Sequence, residues 1–444
     1  MTSHPKKILL ISSFFTAPSP GGGVTFSRDV ASEWLHRGYQ VDVLCADFSW
    51  ETVPQFVSRF QAFMRSKQLR VYGVINTSEL LRSHQLSGDV QRKALQILSE
   101  RNPDEVHVHN FHGLLSAVNA VADAHSNVIY TALDFGLACH SFYLFDSEGK
   151  LCAGPQAGRC QTCLSKSQKM SWNQFFPRLL GLAGAVASRQ SGLRHHLNYF
   201  SWSHRRYLKK TKGHLEVMLP LFKKFRHVVV PSPPTFNLVK KYRESAEGLH
   251  EILFPVSELF QKQTLANKPL ESGGPKLRLL FLGHADVIKG WPFFLKVLDS
   301  LPDGLNLEVV DGGGNADSFQ TASAETRRYL KSSFRLRGAE IKEAILNADA
   351  VIVPSLWPEN MPLVVIEGLA NGRPVIASDQ AGIAHVIKSG VNGFLVEPGN
   401  SQHWKEQLTA WAQNPNTIRN LRANCTYTKN ASTYVDELEA KVNL

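Results

Sequence analysis

Residues 354–387 read PSLWPENMPLVVIEGLANGRPVIASDQAGIAHVI, and this stretch decides the fold of the second half of the chain. The β-branched run at 350–355 before it predicts a buried strand that ends in a Pro-rich loop. A helix is expected to start at Pro362, because a missing N–H costs nothing in the first turn. Gly372 is typical of a helix end, and the next strand is expected over 373–378.

Two glutamates lie eight positions apart around this helix start. Glu359 is expected in the loop before the helix, and Glu367 one to two turns inside it. Free N–H groups at a helix N-terminus bind an anionic diphosphate, and carboxylates on either side suit sugar hydroxyls. Burying Glu367 among apolar neighbours would be costly without a partner. On an amphipathic helix it would simply face solvent, so the residues alone leave both alternatives open.

Composition is that of a globular protein. A length of 444 residues is enough for two or three domains, and 43% hydrophobic with 20% charged residues is ordinary for a soluble fold. Residues 1–5 lead directly into a strand-like run, so no signal peptide is expected. The longest apolar stretch in a helical context, 179–187, is too short to cross a bilayer. These features predict a cytoplasmic protein.

The net charge of +11 is concentrated in one block. Between Lys166 and Arg243 there are sixteen Lys and Arg residues and one acid, Glu216. A basic helical segment is expected over 166–225. It either lies against anionic lipid headgroups at the inner face of a membrane or is a solvated basic face with no partner. Nucleic acid is not expected as a partner, because no zinc finger or RNA-binding signature accompanies the charge.

Strands and helices alternate along both halves of the chain. The apolar runs predict strands at 8–12, 41–45, 105–109, 128–132, 227–231 and 252–256, and then at 277–282, 307–310, 350–354, 374–377 and 393–396. Helices are expected at 24–37, after Asn400 as N-cap, and at 428–444. This rhythm predicts doubly wound parallel sheets with ligands at the carboxyl ends of their strands.

The pattern P-E-N-x-P-x-x-x-x-E-x-x-x-x-G-x-P-V-I resembles the E-x7-E signature of retaining family-4 glycosyltransferases. The resemblance runs over most of the chain and is strongest from 277 to 399. It implies the α/β GT-B fold, in which two doubly wound Rossmann-like domains face a central cleft. It also implies that Glu359 contacts the donor sugar and Glu367 binds the ribose.

The resemblance divides the chain into four parts. Residues 1–265 would form an N-terminal acceptor-binding Rossmann-like domain, including the Cys-rich segment 139–163. A linker is expected at 266–276, and a C-terminal nucleotide-sugar-binding Rossmann-like domain at 277–427. The helix at 428–444 would pack back on the N-terminal domain, as in GT-B proteins.

The segment 279–290 resembles the strand and loop of this family that end in Lys-Gly. The resemblance implies that Lys289 binds the donor diphosphate. The family usually has an Arg where this chain has His284, and an imidazole lacks the guanidinium fork. Main-chain N–H groups at the helix start would stabilise the departing diphosphate as well, namely those of Asn360, Met361 and Leu363.

Two further segments match donor-binding positions of the family. The loop with Gly22 and Gly23 resembles the glycine loop that approaches the diphosphate, although it lacks a P-loop signature. Taken alone, it is more typical of a tight turn. Arg337 and Gly338 sit where family members read the base by main-chain contacts.

The acceptor side departs from the family pattern. The family commonly has a His-Asp pair after the strand at 128–132, whereas this chain has Leu133 before Asp134. Asp134 therefore stands as a catalytic candidate, with His109 and His112 as acceptor-side candidates that could substitute for the missing His. Retaining transfer is thought to let the leaving phosphate take the acceptor proton, so the change is compatible with activity.

Four cysteines cluster in a Gly-rich segment, at Cys139, Cys152, Cys160 and Cys163. A cytoplasmic location argues against disulfides. The C-x-x-C pair with two further cysteines fits a tetrahedral structural zinc site, although the spacing is not that of a standard finger. Four reduced thiols are the equally open alternative.

The resemblance implies a retaining, metal-independent hexosyltransferase. It would move a sugar from a nucleotide-diphospho-sugar to a glycan or lipid-linked acceptor, in cell-surface polysaccharide or glycolipid synthesis. No catalytic metal is expected, because Lys289 and backbone dipoles can hold the diphosphate. The alternative, motivated by His284 and Leu133, is a degenerate member that binds a nucleotide-sugar or a partner without turnover. An epimerase on the same fold is disfavoured by the E-x7-E pattern, and a phosphorylase by the absence of an obvious lysine environment for pyridoxal phosphate.

Overall fold

The computed structural model describes residues 4–16, 21–46, 54–74, 88–139, 143–144, 146, 150, 152–156, 159–160, 163, 214–261, 274–284, 286–314, 319–320 and 322–443. The chain forms two compact units: unit 1 holds residues 1–229 and 238–250, and unit 2 holds 230–237 and 251–444. Most of the predicted linker and of the basic segment lies outside the described residues. The predicted docking of 428–444 on the first domain stays a prediction.

A seven-stranded sheet belongs to the first half of the chain. Its strands are β1 (Lys7–Ser12), β2 (Gln40–Cys45), β3 (Leu69–Gly73), β4 (Glu105–Asn110), β5 (Val128–Thr131), β6 (His227–Val230) and β7 (Leu249–Glu251). Its order is β3-β2-β1-β4-β5-β6-β7, and the strands from β3 to β6 pair in parallel. The helices are α1 (Gly22–His36), α2 (Pro54–Arg65), α3 (Gly88–Arg101), α4 (Leu115–Ala124), α5 (His214–Lys224) and α6 (Pro233–Arg243).

The second sheet has six strands. They are β8 (Leu277–Phe281), β9 (Leu307–Asp311), β10 (Leu330–Ser333), β11 (Ala350–Val353), β12 (Val375–Ser378) and β13 (Gly393–Val396). Their order is β10-β9-β8-β11-β12-β13, and all five neighbouring pairs are parallel. The helices are α7 (Trp291–Asp299), α8 (Ala324–Tyr329), α9 (Ala339–Asn347), α10 (Leu363–Ala370), α11 (Ala381–Ala384), α12 (Ser401–Gln413), α13 (Asn416–Arg419) and α14 (Ala431–Val442).

Aromatic side chains fill one face of the second sheet. Trp291 stacks on Phe281 with ring centroids 4.3 Å apart, and Phe294 meets Trp404 edge-on at 5.7 Å. All four side chains are buried. Because α7 and α12 are both anchored on this core, the loop that precedes α7 is held against the end of the sheet.

The predicted strand at 252–256 is wrong, because the strand is β7, Leu249–Glu251. The apolar run continues beyond β7, but the backbone N–H groups of Phe254 and Val256 find acceptors outside the sheet. Phe254 N donates to Met361 Sδ, and Val256 N donates to Lys429 O. Strands β3 and β10 were not predicted from the sequence. Both lie at sheet edges, where half-polar runs such as LKSS carry a weak strand signal.

Strand order reverses at one place in each sheet. In the first sheet, β1 lies between β2 and β4, and in the second, β8 lies between β9 and β11. The loops that follow such a pair diverge to opposite sides and leave a crevice at the carboxyl ends. This topology predicts a site after β1 and β4 and another after β8 and β11. Among the described helices, none is both long and apolar enough to span a bilayer.

Candidate functional site

The loops that follow β8 and β11 are joined by their backbones. Leu356 N donates to Ile288 O at 2.9 Å. Gly290 has a φ of 73°, and a Cβ there would lie 1.8 Å from Pro354 O. Only glycine therefore allows both the left-handed turn and the close approach. This contact fixes the residue before Gly290, Lys289, beside the second loop.

Lys289 and Glu359 form an ion pair where these loops meet. The Lys289 Nζ lies 2.8 Å from Glu359 Oε1, and Ser355 Oγ donates to the same oxygen at 2.6 Å. Glu359 is only 4% exposed, so its charge depends on these partners. Among the described residues, no hydrogen bond ends on Glu359 Oε2. One carboxylate oxygen of Glu359 is thus held by two side chains, those of Lys289 and Ser355.

The turn before α10 is held by three further contacts. Asn360 Oδ1 accepts from Thr235 Oγ1 at 2.5 Å, and Met361 Sδ accepts from Phe254 N at 3.3 Å. A Cβ at Gly382 would lie 1.8 Å from Glu359 O, so α11 packs directly on this backbone. The turn is therefore rigid, which suits a helix start that is to hold an anion.

The helix itself differs slightly from the prediction. It begins at Leu363, one residue later than expected, with Pro362 in an extended conformation before it. Gly372 has a φ of 67° and closes the helix as predicted. Glu367 is half-buried on α10, between the two extremes that the sequence left open.

His284, Arg337 and Gly338 lie in other loops of unit 2. His284 is exposed in the loop after β8. Arg337 is also exposed, and its backbone N donates to Glu340 Oε2 at 2.9 Å, while Gly338 has a φ of 52° at the start of α9. None of the described hydrogen bonds joins the side chain of His284 or Arg337 to the Lys289–Glu359 pair. Their predicted donor contacts stay predictions.

In unit 1, the predicted glycine loop is the first turn of a helix. Gly22 and Gly23 begin α1, and Gly21 precedes it in an extended conformation. A Cβ at Gly23 would lie 3.4 Å from Leu133 Cδ1. The leucine that replaces the family's histidine thus packs beside this turn, at the switch point of the first sheet.

His112 and Asp134 come together at the same place. The His112 Nε2 lies 3.6 Å from Asp134 Oδ2, and both side chains are close to three-tenths exposed, at 29% and 28%. Asp134 Oδ1 accepts from Gly136 N at 2.7 Å, which fixes the carboxylate. The structure therefore pairs Asp134 with an imidazole from the neighbouring strand's loop.

His109 is placed differently from His112. Its side chain is buried, and its Nδ1 lies 3.0 Å from Ser27 Oγ on α1. Burial, assisted by the charge of His107, holds the pKa of His109 well below the usual range of histidine. A neutral, enclosed imidazole is a core residue, so His109 is a poor candidate for contact with an acceptor.

Two of the four clustered cysteines, Cys152 and Cys160, make hydrogen bonds with nearby backbone groups. Cys152 Sγ donates to Gly154 O at 3.3 Å, and Gln156 N donates to Cys160 Sγ at 3.3 Å. Burial raises the pKa of Cys160, and nearby Cys152 and Cys163 add to this effect. Within the described part of the chain, no three His, Cys, Asp or Glu side chains are grouped to hold a metal ion. The zinc alternative stays a prediction.

Sequence reasoning missed three residues of the unit 2 site. Ser355 and Trp357 contact the ion pair, and Thr235 holds Asn360. Ser355 could have been found from its place at the end of a strand, four residues before Glu359. Thr235 is 125 positions from Asn360, so no local signal reveals it.

Two doubly wound Rossmann-like sheets, each with polar loops at a switch point, define the GT-B class, which confirms the predicted fold. Anabaena HepE, solved in complex with UDP and glucose, has this fold: its TM-score is 0.62 at 16% identity, over 99% of both chains. WaaG, a glycosyltransferase involved in lipopolysaccharide biosynthesis, gives a TM-score of 0.54 at 15% identity, over 97% of this chain and 95% of WaaG.

Residues 262–430 match the sequence model of the family described as "Glycosyl transferases group 1". This match confirms the predicted resemblance to glycosyltransferases, whereas the retaining mechanism stays a prediction. A phosphatidyl-myo-inositol mannosyltransferase of Mycobacterium leprae is 26% identical over 186 residues, which cover 40% of this chain and 48% of that protein. The sulfoquinovosyl transferase SQD2 of Arabidopsis thaliana is 29% identical over 135 residues, 30% of this chain and 26% of that protein. The chain thus spans half or less of these relatives' length.

Proposed function

We propose that the protein is a retaining glycosyltransferase of family 4 that uses a nucleotide-diphospho-sugar. The observation that carries the proposal is the Lys289–Glu359 pair at the start of α10, inside the segment that matches the family. A cation and the N–H groups of a helix start favour a diphosphate. The carboxylate of Glu359, in the loop before α10, suits a sugar hydroxyl, and Glu367 on the helix suits the ribose.

The chemistry follows from this charge arrangement. When the glycosidic bond to the donor phosphate breaks, negative charge grows on the diphosphate. Lys289 and the N–H groups at the helix start stabilise that charge without a metal ion, because they are already oriented. The departing phosphate takes the proton of the acceptor hydroxyl on the same face of the sugar, so the anomeric configuration is retained.

The acceptor side is proposed to use the His112–Asp134 pair. Both side chains are partly exposed and polar, and they lie at the carboxyl ends of β4 and β5. His112 takes the place of the histidine that is common in the family and absent here at Leu133. Their task is to bind and orient the acceptor hydroxyl rather than to remove its proton.

The first donor and acceptor classes to test come from the similar proteins. HepE was solved with UDP and glucose, so a UDP-hexose is the first donor to try. The name of the phosphatidyl-myo-inositol mannosyltransferase points to a lipid acceptor, and that of WaaG to lipopolysaccharide biosynthesis. We therefore propose a lipid-linked or glycan acceptor, with a role in cell-surface polysaccharide or glycolipid synthesis.

A lipid-linked acceptor would bring the protein to the cytoplasmic face of a membrane. The basic residues between 166 and 243 provide the charge for contact with anionic headgroups. Flotation with vesicles containing phosphatidylglycerol checks this step: binding should weaken as salt rises. Equal binding to neutral vesicles, or none to either, would remove the membrane proposal and leave the enzymatic one intact.

The test of the function itself is a thermal-shift panel of UDP-, GDP-, ADP- and TDP-sugars, run on wild type and on Glu367→Ala. A donor at about a hundred times its Kd adds roughly 2.7 kcal/mol of stability. One base should stabilise only the wild type. Transfer products then show by NMR whether the anomeric configuration is kept, and unchanged rates in EDTA would support metal independence. Inversion of configuration would contradict the retaining mechanism.

A further inference from the structure

The side chain of Lys289 ends between two partners of different kinds. It is 27% exposed. Its ammonium nitrogen lies 2.8 Å from Glu359 Oε1 and 4.7 Å from the centre of the Trp357 ring. A lysine has a long, flexible stem, so holding its end in one place is entropically costly. The two partners together restrict the ammonium group to a single position at the loop junction.

We propose that Trp357 is a positioning residue of the donor site. The face of its indole ring holds the ammonium group of Lys289 where the diphosphate of the donor arrives. This inference rests on the proposed function and names a residue that acts on the donor only through Lys289.

The ring of Trp357 is well placed for this task. Its side chain is only 7% exposed, so the protein around it restricts its motion. The backbone N of Trp357 lies 3.4 Å from Ile288 O, directly beside Lys289 in the chain. The ring and the lysine therefore belong to the same loop junction, and a cation within about 6 Å of an indole centre is attracted to its face.

Glu359 alone would not serve the same purpose. It is an anion, as the diphosphate is, so the two compete for the N–H groups of one ammonium ion. The Trp357 ring carries no net charge and attracts the cation without competing for its hydrogen bonds to phosphate. Lys289 can then turn its N–H groups from Glu359 toward the diphosphate while its nitrogen stays over the ring.

The experiment is calorimetric binding of UDP and UMP to wild type, Trp357→Leu and Trp357→Phe. The Leu variant removes the ring face, and the Phe variant keeps one as the matched control. UDP should bind about fivefold to tenfold more weakly to the Leu variant and within about twofold of wild type to the Phe variant. UMP lacks the β-phosphate, so its Kd should be the same in all three.

A purely structural role of Trp357 would weaken UDP and UMP equally, and that result would overturn the proposal. So would an unchanged Kd for UDP. Glu359→Gln provides a second readout that leaves the ring packing untouched, should Trp357→Leu fail to fold. It removes the competing anion, so UDP should bind about threefold more tightly, and weaker or equal binding would contradict the competition.

The failure of the proposed function looks different from the failure of this inference. A wild type that binds none of UDP, GDP, ADP and TDP would remove the donor site altogether. If another base binds, its diphosphate and monophosphate replace UDP and UMP in the same comparison. If the wild type binds a diphosphate and Trp357→Leu binds it equally well, the proposed function stands and only the role of Trp357 is removed.

Discussion

The two switch points of this protein are built with different degrees of constraint. In unit 2, the Lys289–Glu359 pair is 2.8 Å long, and its carboxylate is almost fully buried and bonded to Ser355 as well. In unit 1, His112 and Asp134 are 3.6 Å apart, and each is more than a quarter exposed. A buried carboxylate that is held by two side chains suits a ligand that is always the same, such as a nucleotide diphosphate. An open and looser pair suits the variable partner of the reaction, the acceptor.

Removing the Lys289 cation from the unit 2 site should have the largest effect, which is on the rate of transfer. Lys289→Met should lower kcat about 100-fold to 1,000-fold, because the growing charge on the diphosphate loses an oriented partner. Initial-rate kinetics measure this loss, and Lys388→Met, at an exposed lysine of the same unit, is the control. A kcat within a few-fold of that of wild type would show that the unit 2 site is less specialised for a diphosphate than its contrast with the His112–Asp134 pair implies.

The close contact between Gly290 and Pro354 O in unit 2 predicts the next largest effect, which is on stability. Gly290→Ala should cost about 3 kcal/mol, because the new Cβ combines a left-handed φ with a clash against Pro354 O. Gly372→Ala is the matched control: its φ is also positive, but nothing lies within 4 Å of the added Cβ. It should cost about 1 kcal/mol. Denaturant unfolding followed by tryptophan fluorescence compares the two, and equal losses would contradict the claimed contact.

The open site in unit 1 should give a smaller effect, confined to the acceptor. His112→Asn should raise the KM for the acceptor about tenfold, since one hydrogen bond to the acceptor hydroxyl is lost. The Kd for the donor nucleotide should not change. His36→Asn, at an exposed histidine of α1, controls for the general effect of losing an imidazole. A change in donor Kd would mean that His112 does not serve the acceptor.

The smallest expected effect is a pH dependence of stability that arises from unit 1. His227 lies 3.0 Å from His250, and burial, with the charge of His250, lowers the pKa of His227 to about 4. The unfolded chain binds this proton near pH 6.5, so it holds more protons than the folded chain between about pH 6.5 and 4. Stability should therefore fall as pH drops through that window, by about 1 kcal/mol after allowance for solvent screening.

The comparison of wild type with His227→Asn checks this pH effect. The variant should lose part of the slope of unfolding free energy between about pH 4 and 6.5, since asparagine does not titrate. Measuring the difference between the two proteins cancels the contribution of titrating groups that lie away from the His227–His250 contact. Parallel curves of unfolding free energy against pH for the two proteins would show that the His227–His250 contact does not cause this pH dependence.

Much of the unit 2 site could be predicted from the sequence, because its signals are local. Glu359, Pro362 and Gly372 lie within one strand-loop-helix segment, where spacing alone indicates which residues meet at a helix start. Even the error there was small: the helix begins one residue later, at Leu363. The wrong prediction of a strand at 252–256 has a different cause. An apolar run carries no information about where its backbone N–H groups will find acceptors.

The α/β class, the alternation of strands and helices, and the two glutamates around their helix start can all be read from local sequence. Which loops meet becomes visible only in the folded chain. It joined Lys289 to Glu359 across 70 positions, Thr235 to Asn360 across 125, and His112 to Asp134 in place of the missing histidine. The physical reason is the order of strands in a parallel sheet. Neighbours in space such as β8 and β11 are far apart in the chain, and local periodicity does not record their pairing.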